Sequence, residues 1–396
     1  MKNWNTLTVG EVCDSISEPF NKKSAAVVLI NTSDVFDGKC LNHKLVSNSN
    51  LKGQFKKSFR KNDILYSEIR PKNKRYAYID FNATDYVAST KLMVIRAKPN
   101  IINPKFLYHF LKSDIMLEQM QAIAESRSGT FPQITFSELS RIEIQIPNIE
   151  LQYKVVNYLD NLDNKIELNE KINQNLEAQA QAIFKSWFVD FEAFKNGKFV
   201  DSELGNIPEG WRVGRLSDIC DITMGQSPSG ESLHINSDGT IFFQGRADFG
   251  SRFPKNRLYT SEPRRMAKEG SILLSVRAPV GDINIAMDSC CIGRGLASIH
   301  SRNQSFLYYL LQSLRRLFDM YNGEGTVFGA INRDSLRNIK ILIPKSEIIC
   351  EFERIANQID NNIKNNELQS RRLAQLRDTL LPKLMSGEID VSDVAV

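Results

Sequence analysis

The chain carries the stretch Ile144-Gln145-Ile146-Pro147, followed without interruption by NIELQYKVVNYLDNLDNKIELNEKINQNLEAQAQAIFKSWF, which ends at Phe188. Beyond the proline, Val155, Leu162, Asn169, Leu176 and Ile183 stand seven apart, and Leu159, Ile166, Asn173, Ala180 and Trp187 form a companion series. Mainly apolar residues at this spacing make the a/d seam of a helix that pairs with another helix. The pattern returns near the other end of the chain. There Ile341-Leu342-Ile343-Pro344 precedes Phe352, Ile359, Asn366, Leu373 and Leu380, with Ala356, Ile363, Ser370, Arg377 and Leu384 as the second series. The polar interruption falls at the same place in both: Asn169 with Asn366, and Asn173 with Ser370. A polar group in such a seam lowers stability but sets register and partner choice, so these residues are the expected register determinants.

The repeat extends through the whole chain. Ile64-Leu65-Tyr66-Ser67 with Pro71 is matched by Ile272-Leu273-Leu274-Ser275 with Pro279, and Phe106-Leu107-Tyr108 by Phe306-Leu307-Tyr308. The matches keep their order while their separation shrinks in small steps, as in a duplication with loop insertions and deletions. β-Branched runs at Ala26–Ile30, Leu92–Ile95, Ile272–Val276 and Ile283–Ala286 alternate with Gly, Pro and Asn, as strands do. Asn103-Pro104 opens a helical stretch through Phe110 and Met116, because proline suits a first helical turn. The expected fold class is α+β: two similar α/β domains joined by two long helices that form an antiparallel coiled coil, with a pseudo-two-fold internal repeat. Helices of about 35 residues, roughly 50 Å long, would overhang a globule of this size unless they paired. The pair would act as a fixed spacer between two readers. The expected boundaries are 1–148 for the first domain, 149–192 for the central helix, 193–204 for a linker, 205–345 for the second domain and 346–390 for the C-terminal helix.

Composition narrows the chemistry. Of 396 residues, 42% are hydrophobic and 24% charged, values of a folded chain. No apolar run approaches the roughly 20 residues of a membrane span, and Met1-Lys2-Asn3-Trp4 opens no export signal, so the expected location is cytoplasmic, with no membrane partner. Cys13, Cys40, Cys220, Cys290, Cys291 and Cys350 form no Cys-x-x-Cys, and His43, His109, His234 and His300 lack ligand spacing. Reduced thiols and no metal are expected. There is no Gly-x-x-x-x-Gly-Lys-Ser/Thr loop, no Gly-x-Ser-x-Gly and no His-Glu-x-x-His. Gly293-Arg294-Gly295 lacks the third glycine of a dinucleotide fingerprint. The Asn/Asp-Pro-Pro-aromatic tetrapeptide of amino-methyltransferases and the Glu-x-Lys of carboxylate nucleases are absent as well. A chain without catalytic residues is therefore expected, with a degenerate-motif nuclease or methyltransferase as the enzymatic alternative and a coiled-coil scaffold as the structural one.

The net charge of +5 is too small to decide the partner, so the placement of the charges must. Between Lys52 and Arg75 lie Lys56, Lys57, Arg60, Lys61, Arg70, Lys72 and Lys74, opposed only by Asp63 and Glu68 and followed by Tyr76. The second copy carries Arg246, Arg252, Lys255, Arg257, Arg264, Arg265, Lys268 and Arg277 in the corresponding region. Basic side chains with interleaved aromatics suit phosphate neutralisation and base contact. The recurrence in both copies makes double-stranded DNA the expected partner. The expected contacts are Lys56, Lys57, Arg60, Arg70, Lys72, Lys74, Arg75 and Tyr76 in the first copy, and Arg246, Arg252, Lys255, Arg257, Arg264, Arg265 and Arg277 in the second.

Three further segments carry a family resemblance. Gly205-Asn206-Ile207-Pro208-Glu209-Gly210-Trp211 resembles the opening of a target-recognition domain in the specificity (S) subunits of type I restriction–modification enzymes. Phe184-Lys185-Ser186-Trp187-Phe188-Val189-Asp190-Phe191-Glu192 is similar to that family's central conserved region, and Leu373 to Leu384 with Ser386-Gly387-Glu388-Ile389 to its C-terminal one. The resemblance covers essentially the whole chain. One departure is that Gln152, which follows the closing proline as the family usually has it, is Ile349 in the second copy. The resemblance implies a non-catalytic subunit that reads an asymmetric, bipartite DNA sequence, one half-site per domain. It implies that the helices set the spacer and dock two modification subunits (adenine methyltransferases), with restriction/translocase subunits in the larger complex. S-adenosylmethionine would then be bound by the modification subunit, ATP and Mg²⁺ by the restriction subunit, and no cofactor by this chain.

Overall fold

The computed structural model describes residues 4–21, 24–50, 53–126, 132–322 and 329–391, so Lys52 lies outside the described residues. The chain divides into two compact units: Met1–Leu168 with Leu368–Val396, and Asn169–Glu367. The two long helices, Ile149–Phe188 and Ser346–Met385, each contribute one half to either unit.

In the first unit, an antiparallel sheet runs in the order Cys13–Ile16, Leu92–Ala97, Ile64–Ser67, Tyr76–Tyr78. A second sheet has the order Leu45–Ser47, Ala26–Ile30, Tyr86–Ser89, Phe55–Ser58, and its central pair is parallel. The second unit repeats this plan. Its antiparallel sheet is Asp221–Met224, Leu296–His300, Ile272–Ser275, Ile283–Ile285, and its other sheet centres on a parallel pair of Thr240–Phe243 with Cys290–Ile292. In both units the strand that ends in Ile-x-Ile-Pro or Ile-Leu-Ile-Pro pairs antiparallel with a strand near the start of its domain, Glu143–Ile146 with Asn5–Thr8 and Lys340–Ile343 with Arg212–Arg215.

The continuous apolar runs are strands covered on both faces, which removes the alternation expected of a half-exposed sheet. Ile64, Tyr66, Met93 and Ile95 point to a core shared with the helices, while Leu65, Leu92 and Val94 point to the second sheet, with Val28, Ile30 and Ala88. Ile272 and Leu274 against Leu273 repeat that division in the second unit. The predicted helix after Asn103 is two helices, Pro104–Lys112 and Asp114–Glu125. Ser113 separates them, extended at ψ 143° and capping the second through its hydroxyl to Met116 N.

Every predicted seam position of both long helices is buried or half-buried. In the first unit Val155 and Leu159 share a core with Leu381 and Leu384, and Arg377 Nη1 donates to Asp163 at 2.6 Å. In the second, Asn366 Nδ2 donates to Asn173 Oδ1 at 2.9 Å, Asn169 Nδ2 to the Asn366 carbonyl at 3.4 Å and Asn173 Nδ2 to the Ile363 carbonyl at 3.2 Å. As the number falls on one helix it rises on the other, so the pairing is antiparallel. Asn173 thus meets Asn366 directly, and Ser370 is half-buried in the part of its helix that belongs to the first unit.

One expectation changes. Residues 193–204 are not a plain linker: Phe199–Ser202 pairs with Gly205–Pro208 as a hairpin. Gly205 supplies a left-handed φ of 97° at its turn, and Ser202 Oγ donates to the Gly205 carbonyl. The Gln152 departure is compensated. Gln152 Oε1 accepts from Asn103 N at 2.7 Å, tying the first unit's domain helix to its long helix. In the second unit the Glu353 carboxylate accepts from Ser305 N and Phe306 N, doing the same work one turn further along.

Candidate nucleic-acid interface

The loop after the central strand of each antiparallel sheet is built alike. In the first unit it leaves at Ser67, and Ile69 bridges Gln133; in the second it leaves at Ser275, and Arg277 bridges Ala330. Arg70 N donates to the Pro132 carbonyl at 3.1 Å and Ala278 N to the Gly329 carbonyl at 2.9 Å. In the first unit this loop is strained. Arg70 (φ 46°) and Lys74 (φ 53°) are left-handed on either side of a short turn at Pro71–Asn73, a conformation that costs about 1 kcal/mol or more for a side chain with a Cβ. Arg70 and Lys72 are both exposed on this turn.

The remaining predicted contacts of the first unit fall into two groups. Lys56 and Arg60 are exposed. Lys57 is turned inward, donating to the carbonyls of Leu92 at 2.8 Å and Thr90 at 3.2 Å, and burial lowers its pKa. Lys74 lies 3.7 Å from Asp114. Arg75 is half-buried, donates to the Ser33 carbonyl and covers the ring of Phe36. Tyr76 is buried and its hydroxyl donates to Asp37 at 3.1 Å, so it stacks on no base. Tyr76 and Tyr78, two apart on one strand, look like interleaved aromatics in sequence but both pack against the core of the first unit.

In the second unit Lys255, Arg264, Arg265 and Arg277 are exposed. Arg246 is paired with Asp282, which also takes Arg315. Arg257 donates to the buried Asp248 at 2.6 Å. Asp248 reaches back to Gln244 N, as Asp34 reaches back to Asn31 N in the first unit.

Arg252 is the clear correction. It is 5% exposed and lies against the long helices, paired with Glu177 and, at 2.6 Å, with Asp360, its guanidinium 4.2 Å from the ring centre of Tyr308. Burial disfavours its charge, but Tyr308, Asp360, Tyr309 and Glu177 more than offset that and hold its pKa above the ordinary arginine value. The first unit has a matching cluster. Asp163, the duplication's counterpart of Asp360, accepts from Lys112 at 3.1 Å and from Arg377, and Lys112 lies 4.9 Å from the Tyr108 ring. Burial raises the Asp163 pKa, yet Lys112 and Arg377 outweigh it and the net shift is down. Sequence reading missed both clusters, although Tyr108 with Tyr308 and Asp163 with Asp360 recur in register.

Among the described residues no group of His, Cys, Asp and Glu could hold a metal, and no helix is long and apolar enough to cross a membrane. Burial pushes the thiols of Cys13, Cys220 and Cys290 up to about 12, the opposite of an activated nucleophile.

The family model for the type I restriction modification DNA specificity domain matches this chain twice, over residues 1–178 and 208–378. The chain is 33% identical to the HindI specificity subunit of Haemophilus influenzae, covering 98% of this chain and 100% of that protein. It is 31% identical to the putative MjaX specificity subunit of Methanocaldococcus jannaschii, covering 83% and 79%. The crystal structure of the type I restriction–modification S subunit from M. genitalium shares 18% identity over 97% of this chain and 96% of that one, with a TM-score of 0.56, which shows a common fold. With the same domain plan folded twice and the family model matched twice along it, the chain belongs to the specificity subunits of type I restriction–modification systems.

Proposed function

We propose that this subunit reads a bipartite, asymmetric DNA target, each domain taking one half-site. The observation that carries the reading is that the two domains share one topology while their equivalent loops differ in chemistry. The first presents Arg70 and Lys72 from a strained turn, and the second presents Arg277 with Ala278 and Pro279. Similar frames with different loops suit two different sequences better than a palindrome. The exposed basic residues Lys56, Arg60, Arg70, Lys72, Lys255, Arg264, Arg265 and Arg277 are the proposed DNA contacts.

The paired helices dock two modification subunits and set the half-site spacing, and restriction/translocase subunits join that core in the cytoplasm. In this division of labour the modification subunit binds S-adenosylmethionine and extrudes the target adenine, and the restriction subunit uses ATP and Mg²⁺. The test is a methylation map of a methylation-free host expressing this chain with its modification subunit. A split, asymmetric motif that disappears when this chain is omitted is expected. A continuous or palindromic motif, or modification by the chain alone, would overturn the proposal.

A further inference from the structure

Gly293-Arg294-Gly295 matches no nucleotide fingerprint, yet it lies where strand ends from both sheets of the second domain meet. Gly293 N donates to the Phe243 carbonyl at 2.8 Å, Gln226 N to the Ile292 carbonyl at 2.9 Å, Gly225 N to the Leu296 carbonyl at 2.9 Å and Val276 N to the Gly295 carbonyl at 2.9 Å. The glycines permit this convergence. A Cβ on Gly225 would collide with the Gly293 carbonyl, and one on Gly295 would stand 2.8 Å from the Gln244 carbonyl. Ser227 Oγ stitches the centre, accepting from Arg294 N at 3.3 Å and from Gln244 Nε2 at 3.4 Å.

Gln226, Gln244, Arg277 and Arg294 project from this crossing, and all four are exposed. Among the described residues, the side chains of Gln226, Arg277 and Arg294 have no hydrogen bond or ion pair, whereas Arg246 nearby is paired with Asp282. Two amides and two guanidiniums on a rigid, glycine-packed backbone are the groups that pair bidentately with adenine and guanine edges in a major groove. Rigidity counts here, because a base reader must hold its geometry, whereas a phosphate contact need not.

We propose that this rim is the base-reading element of the second domain, with Arg294 and Gln244 as specificity-determining residues. Exposed Lys255, Arg264 and Arg265 serve the backbone instead. The inference rests on the bipartite-target reading and narrows it to named side chains.

The experiment compares methylation maps of host cells carrying the wild-type complex and complexes with Arg294→Ala, Arg294→Lys, Gln244→Ala or Arg264→Ala. The expected result is that Arg294→Ala and Gln244→Ala each relax a base position in the same half-site, raising modification of single-base variants of the motif about tenfold relative to the wild-type sequence. Arg294→Lys, which keeps the charge and loses the fork, should relax the same position. Arg264→Ala should lower modification evenly with the motif intact. Where a variant modifies too little DNA to map, the purified complex is titrated with the wild-type duplex and with duplexes altered at each base of either half-site. An unchanged motif, or an equal loss of affinity for wild-type and altered duplexes, would overturn the proposal. A wild-type map without a split motif would instead overturn the bipartite reading beneath it.

Discussion

Arg252 Nη2 donates to Asp360 Oδ1 at 2.6 Å, joining a loop of the second domain to the C-terminal long helix. Glu177 of the other helix takes the second arm of the same guanidinium, and Tyr309 donates its hydroxyl to Asp360 at 2.8 Å. One buried arginine therefore ties a domain to both helices at once. Removing it leaves two carboxylates facing each other without a cation in a site of low dielectric. Arg252→Ala is expected to destabilise the protein by about 3–5 kcal/mol, the usual cost of stripping one partner from a buried charge network. Thermal denaturation of the purified chain checks this. A change within error would show that water reaches the pair and screens it.

The seam amides act in the opposite direction. Asn366 donates to Asn173 at 2.9 Å and Asn173 to the Ile363 carbonyl at 3.2 Å, in a seam whose neighbouring positions include apolar Ile363 and Leu176. Replacing both with leucine exchanges a desolvated polar pair for apolar packing, so a gain of about 1–4 kcal/mol is expected by analogy with buried polar pairs elsewhere. Calorimetry reads that gain. Co-elution with the modification subunit reads whether partner choice suffers, as the register role of these amides requires.

On DNA, the exposed cations should behave differently from the inward-turned ones. Arg60→Ala and Lys72→Ala are each expected to reduce the slope of log affinity against log salt by about one, as each phosphate contact is lost. Tyr76→Phe should leave the slope unchanged, because its hydroxyl is spent on Asp37. Filter binding or fluorescence titration between low and moderate salt distinguishes the two classes.

His109 supplies a pH dependence. It is fully buried on the helix that packs against the central long helix, 3.5 Å from Asp160 and close to Lys112, and burial pushes its pKa down to about 4 from an ordinary 6.5. The unfolded chain therefore binds this proton more readily than the folded one. The neutral ring's stability is fully present above pH 6.5 and declines as pH falls from there towards 4. The melting temperature should drop over that window, and His109→Gln, which cannot titrate, should flatten the drop. An identical profile in the variant would assign the pH dependence to other groups.

Much of this molecule is legible in its sequence. A seven-residue period survives translation into structure because a helix brings every such position to one side, and all the predicted seam residues are indeed buried or half-buried. The duplication was legible for a similar reason: strands such as Ile64–Ser67 and Ile272–Ser275 are covered on both faces, and that burial demands an uninterrupted apolar run. The basic segments were visible as composition but could not be sorted. Arg60 and Arg252 look alike in sequence, yet one is exposed and the other is buried between two carboxylates contributed from Glu177 and Asp360, 75 and 108 residues away.

The periodicities, and with them the duplicated plan and the long paired helices, are written in the order of the residues, because they depend on local spacing along one chain. Which charges stay free is settled by the fold. Whether an arginine meets water or a carboxylate depends on where distant strands and helices converge, as at Gly225, Gln244 and Gly293, and no local pattern encodes that meeting.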